Sequence, residues 1–218
     1  DQPVTRVDAD DLAGALDDDY THVILPPGRY DDALGESLAA FVRAGGQLIG
    51  LGSSAEWVES LDLDWSFADD AAGEDGDEGE PESAARPYAE HERDYARRII
   101  GGSALAVELD TTHPLAYGYA DDRLTVFRQG AHVLAESRNR YASPARYLEQ
   151  PLVAGYLSEH VRERLAGTTA LAADRFGEGL VVRIADDALF RGYWAGAERL
   201  FANALFFGQL IGSTRLPD

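Results

Sequence analysis

The chain has 218 residues, 39 of them acidic and 19 basic, for a formal net charge of -20. Hydrophobic residues are 45% and aromatics 10%, which is enough for a packed core and excludes wholesale disorder. The charge balance speaks against nucleic acid and against an anionic membrane surface, both of which need clustered cations, and the absence of Cys excludes disulfides, thiolate metal sites and a thiol nucleophile.

The first half alternates helix and strand. Asp10 is placed to cap a short helix carrying Leu12 and Leu16. His22-Val23-Ile24-Leu25 is an apolar run stopped by Pro26-Pro27-Gly28, the pattern of a buried strand. A helix follows from Asp31 or Asp32, with Leu34, Leu38, Phe41 and Val42 on one stripe and Gly45-Gly46 as its stop. Leu48-Ile49-Gly50-Leu51 is a second strand, and Gly52-Ser53-Ser54 turns it into a helix over Ala55–Leu61. This is a parallel βαβ unit.

Residues 69–82 break the pattern, because eight of these 14 are Asp or Glu. A solvated acidic loop is expected at 67–87; the Asp-x-Asp-x-Asp-Gly spacing of a calcium loop occurs in no register. Beyond it, Ala104–Leu109, Leu124–Phe127 and His132–Leu134 read as short strands, and Ser158 caps a helix to about Leu165. Thr168–Phe176 and Leu180–Ala185 flank Gly177-Glu178-Gly179 as a hairpin. Trp194, Ala197, Phe201, Ala204, Leu205 and Gly208 stripe a closing helix, whose end, Leu205-Phe206-Phe207, is apolar on nearly all sides and is expected to be buried. Leu200–Thr214 is uncharged but contains Asn203 and Gln209, and it falls short of a membrane span. The expectation is one α/β domain over 1–218: a mostly parallel sheet, helices on both faces, and an antiparallel hairpin near one edge.

Three groups of residues are candidates for chemistry or binding. His160 and Glu163 share a helix face and could hold zinc, but a zinc site needs a third ligand, and His22, His91, His113 and His132 all lie upstream. Ser53 or Ser54, at a strand-turn-helix corner, would be a nucleophile if His113 served as its base; the alternative is a glycine turn with a serine cap, and a structural turn at His113-Pro114. Arg191 and Trp194 open the last helix after a strand end, where α/β sheets bind ligands, so they and His113 are candidate contacts for a small ligand or peptide; Arg191 could equally pair with Asp186 or Asp187.

The order Leu25-Pro26-Pro27-Gly28, Phe41-Val42-Arg43-Ala44-Gly45-Gly46 and Leu48-Ile49-Gly50-Leu51-Gly52-Ser53-Ser54 resembles the core of class I glutamine amidotransferase-like domains, which are flavodoxin-like α/β folds. In that family a Gly-x-Cys-x-Gly elbow carries the nucleophile, and its Cys position falls here on Gly52, or on Ser53 if shifted by one. His113 through Tyr119, Pro151 through Tyr156, and Phe190 through Gly208 are similar to the C-terminal amidotransferase-like domain of large bacterial zinc carboxypeptidase-like proteins. That resemblance implies a non-catalytic accessory domain of a secreted or periplasmic protein. No cofactor is expected in this chain; zinc is expected in a peptidase domain of the same parent, which would be this domain's partner. The absence of Met, even at position 1, fits a processed piece of something larger. All basic residues are Arg, as a GC-rich genome produces, and a salt-loving organism would add the acidic excess.

Overall fold

The computed structural model describes residues 4–16, 20–65, 67, 87–192 and 194–212. The expected acidic loop therefore lies outside the described residues except for Phe67 and Pro87. Seven strands form one sheet: β1 (His22–Leu25), β2 (Gln47–Leu51), β3 (Ser103–Leu109), β4 (Arg123–Arg128), β5 (Ala145–Ala154), β6 (Thr169–Phe176) and β7 (Gly179–Ile184). Their spatial order is β1-β2-β7-β6-β5-β3-β4.

Side-chain alternation divides the core between the two faces. Leu48 of β2 and its register partner Val181 of β7 turn to the face covered by α2 (Ala33–Arg43) and α3 (Ser53–Val58). Ile49, Leu51, Val182 and Ile184 turn to the other face, covered by α5 (Glu159–Leu165) and α6 (Ala195–Phe207). Leu38 and Val42 of α2 are completely buried, each contributing about 1.5–3 kcal/mol relative to exposure. Asp31 Oδ1 accepts from the Ala33 N–H at 2.8 Å at the start of α2, and Ser158 Oγ accepts from the Val161 N–H at 3.2 Å at the start of α5. The remaining helices, α1 (Ala9–Ala15) and α4 (His91–Arg98), bury none of their own residues.

The α/β class with helices on both faces is as expected, but the sheet is mixed. Only β1–β2 and β2–β7 pair in parallel; β7–β6, β6–β5, β5–β3 and β3–β4 are antiparallel. Parallel neighbours need a crossover of a dozen or so residues, which α2 supplies between β1 and β2. The two-residue connection between Phe176 and Gly179 permits only an antiparallel pair, and this hairpin stands mid-sheet rather than at an edge. Residues 132–134 form no strand, α1 starts at Ala9 behind Asp8 rather than Asp10, and α3 ends at Val58. The end of α6 is not buried all round: Phe206 and Phe207 are 49% and 37% exposed.

Gly50 lets α3 lie directly on β2. A Cβ at this position would stand 3.0 Å from Ala55 Cα and 3.2 Å from Ala55 N, both backbone atoms that move only with the helix. Gly50→Ala is accordingly expected to destabilise the fold by about 1–3 kcal/mol, seen as a lower urea midpoint at unchanged slope. An unchanged midpoint would mean that α3 is free to shift.

Candidate functional site

The corner from β2 into α3 turns on a single residue. Gly52 has φ +56° and ψ −123°, backbone that residues with a Cβ rarely adopt. Its N–H donates to Ile184 O on the neighbouring β7 at 2.8 Å, and its carbonyl accepts from the Ala55 N–H at 3.1 Å. Enzymes that use a strand-to-helix elbow place the nucleophile on this strained residue, where it stands clear of the sheet. Here that residue has no side chain, so the elbow position is Gly52 and not Ser53. The space above it is also taken, since Pro27 Cγ lies 3.2 Å from where a Cβ would be.

The two serines that follow differ in role. Ser54 is completely buried. Its Oγ accepts from the Leu51 N–H at 2.8 Å and has Leu25 O at 2.7 Å and Leu51 O at 2.9 Å as acceptors for its one proton. It ties β1, β2 and α3 together. Ser53 is exposed, and among the described residues its Oγ reaches Gly28 O alone, at 3.5 Å.

The structure does not bring His113 to these serines. His113 follows β3, and three strands (β5, β6 and β7) separate β3 from β2, about 19 Å across the sheet. Leu115, beside it, packs in the core under α6, whereas Val58 of α3 packs on the opposite face. His113 Nδ1 accepts from the Leu115 N–H at 3.2 Å, which leaves the proton on a buried, unpartnered Nε2. Burial holds its pKa below the usual histidine value. The histidine that does meet α3 is His132, whose Nε2 lies 3.1 Å from Glu59 Oε2 and whose Nδ1 lies 3.5 Å from Glu56 Oε1.

Arg191 adopts φ +53°, is exposed, and lies with its guanidinium 5.2 Å from the centre of the Phe190 ring. Trp194 donates from Nε1 to Thr125 O at 3.1 Å, against the outer strand β4. Neither Asp186 nor Asp187 is joined to Arg191 by a described ion pair; Asp186 faces Arg128 instead. His160 and Glu163 are both exposed on α5, and among the described residues no group of three His, Cys, Asp or Glu could hold a metal ion.

Two buried charge networks escaped the sequence reading. Arg183 of β7 is completely buried; it donates to Asp174 Oδ2 at 2.8 Å and to Glu59, and lies over the rings of Trp65 and Phe67. The second network stands beside the elbow. Asp186 lies two residues beyond Ile184, whose carbonyl accepts from the Gly52 N–H. Its carboxylate accepts from the Tyr147 O–H at 2.6 Å, and Arg128 donates to Tyr147 at 2.8 Å and lies 3.9 Å from Asp186. The space next to Asp186, lined by Val107, Val126, Ile184 and Leu200, has no room for a water molecule. The signal for the first network was present as Asp174 and Arg183 inside otherwise apolar strands.

No protein-family model matches the chain, and no curated protein matches it. Among solved structures it is similar to PurLQS from Thermotoga maritima, with a TM-score of 0.51 and 13% identity over 87% of this chain and 81% of that one. A cytoplasmic protein of Salmonella typhimurium aligns at TM-score 0.45 and 14% identity, covering 94% of this chain and 76% of that one. A cold-adapted β-galactosidase from Rahnella aligns at 0.39 and 18%, covering 97% of this chain but 26% of that one. At such identities the likeness is one of fold, and the fold is glutamine amidotransferase-like, of the flavodoxin-like α/β kind.

Burial pushes the Asp186 carboxyl up to about 6 from 3.8, against the opposing pull of Arg128 and Tyr147. The folded chain then keeps a proton that the unfolded chain releases. This group's stabilisation is complete below about pH 4, falls by on the order of 3 kcal/mol as pH rises to about 6, and is level above. Urea midpoints of the native chain and Asp186→Asn, measured across that interval, are expected to show the native chain losing ground; a constant difference would contradict the assignment.

Proposed function

We propose that this chain is an accessory domain without catalysis of its own, serving a larger secreted, zinc carboxypeptidase-like protein by packing on its peptidase domain or by holding a small ligand. The observation that carries the reading is Gly52: the elbow keeps the strained backbone of a nucleophile position and presents only hydrogen there. The neighbouring proline supports the same reading, because Pro27 Cγ crowds the position that a side chain at 52 would take. So does Asp186, whose carboxylate is engaged by Tyr147 and Arg128 and holds no imidazole.

The carboxypeptidase parent rests on the resemblance of the segments around His113–Tyr119, Pro151–Tyr156 and Phe190–Gly208. The described residues do not fit a zinc site of their own, so the zinc is assigned to the peptidase domain and no step runs through it here. Secretion is likewise proposed from that resemblance. A serine hydrolase built on Ser53 or Ser54 with His113 would require a relay across the sheet that the described side chains do not make.

Incubation of the chain with glutamine, activated esters and short peptides is expected to give no turnover above buffer, with Ser53→Ala indistinguishable from the native chain. Turnover that Ser53→Ala abolishes would overturn the reading.

A further inference from the structure

Residues 113–119 form a strap that α6 and one histidine hold in place. After β3 the chain makes a 3-10 turn over Pro114–Ala116, with His113 as its cap. Leu115 and Ala116 are completely buried. From α6, Asn203 donates to Leu115 O at 2.8 Å and to Tyr117 O at 2.9 Å, and Arg199 donates to Gly118 O. The strap's carbonyls are thus taken by α6, and its turn is closed at the head by the His113 ring.

We propose that His113 is a proton-operated latch: its neutral ring closes the strap on α6, and its protonation lets the strap open. This inference goes beyond the accessory-domain reading and does not depend on it. The hydrogen-bond roles argue for it first. Nδ1 accepts from the Leu115 N–H at 3.2 Å, so the closed ring is the neutral tautomer with its proton on Nε2. A second proton would sit on Nδ1 and face the Leu115 N–H, donor against donor, and the cap would be lost. Burial argues second. His113 is 8% exposed, and among the described residues its Nε2 has no acceptor. An imidazolium here would be a buried cation with neither N–H satisfied, whereas an open strap gives that charge to water.

The surrounding charges do not reverse this. Asp110, three residues earlier, attracts the cation, but its carboxylate already accepts from the Thr112 N–H and hydroxyl at 3.0 and 2.6 Å, and burial outweighs its pull. α6 brings Arg199, a like charge, and Glu198 on its exposed side; the 3-10 turn over Gly208–Leu210, which also meets the strap, brings none. An open strap exposes a histidine of ordinary pKa, about 6.5, while burial holds the closed one lower, so the open form binds the proton better. Closure is complete above about pH 6.5 and weakens as pH falls, by up to about tenfold in the closed-to-open ratio per pH unit, until the closed ring also protonates.

The test is amide hydrogen exchange of the native chain, followed by NMR and corrected for the intrinsic pH dependence of exchange. The Ala116, Tyr117 and Tyr119 amides donate to His113 O, Pro114 O and Ala116 O. Their protection is expected to fall about fivefold between about pH 7 and 5, while Val181 and Val182 on β7 keep theirs. His113→Asn keeps an acceptor at the cap and has no proton to gain, so its strap protection is expected to be level over the same interval. Protection that stays level in the native chain, that falls equally in His113→Asn, or that falls together with Val181 and Val182 overturns the proposal. The first and third of these are read on the native chain alone.

Discussion

Between Leu51 and Ser53 the chain reverses from strand to helix within one residue, held at φ +56° with its N–H bonded to Ile184 O on β7. Much else follows from that constraint. Because the turn is so tight, α3 returns along β2 at backbone contact distance, which glycine at position 50 accommodates without displacing the helix. Because α3 returns there, Ser54 is carried inside, where its hydroxyl joins the ends of β1 and β2. Glu59, just past the helix, is then delivered to Arg183 and His132. The same backbone geometry that serves a nucleophile in an enzyme serves here as a joint.

The second organising feature is where charge is buried. A chain with 39 acidic residues nonetheless encloses two arginines, Arg128 and Arg183, both at 2% exposure or less. Each is neutralised by a carboxylate from a different element, so each network ties separate elements together. Arg183 joins β7 to β6 and to α3; Arg128 joins β4 to β5 and to the segment after β7. A buried guanidinium without its partner is costly, which gives these links their specificity. The second network also stands just past the carboxyl end of β7, where an open sheet would otherwise offer a binding crevice.

Local features were legible in the sequence and long-range ones were not. β1, β2, the Ser158 cap and the Gly177–Glu178 hairpin are written in short apolar runs closed by glycine, proline or a capping hydroxyl. Strand direction is set by partners far away, so the parallel order read from the first βαβ unit did not extend past β7. β5 was missed because Arg146, Glu149, Gln150 and Pro151 interrupt its alternation. Residues 132–134 have strand composition, but the His132 carbonyl accepts from Arg128 and its ring lies against Glu59 and Glu56, so side chains supply what a ladder would have. At the candidate site, the glycine elbow was visible as a pattern and Gly52 was already one of two positions for it; backbone geometry decided between them. That three strands stand between the Ser53 corner and the strand before His113 is a property of the strand order, which no local pattern encodes.

The central claim is that the corner at Gly52 holds no activated nucleophile, and the most direct measurement is covalent trapping. Incubating the chain with a fluorophosphonate and with iodoacetamide, then weighing it intact, is predicted to leave the mass unchanged after either reagent. Stoichiometric phosphonylation mapped to Ser53 would contradict the account, since an exposed serine without a base has no reason to react.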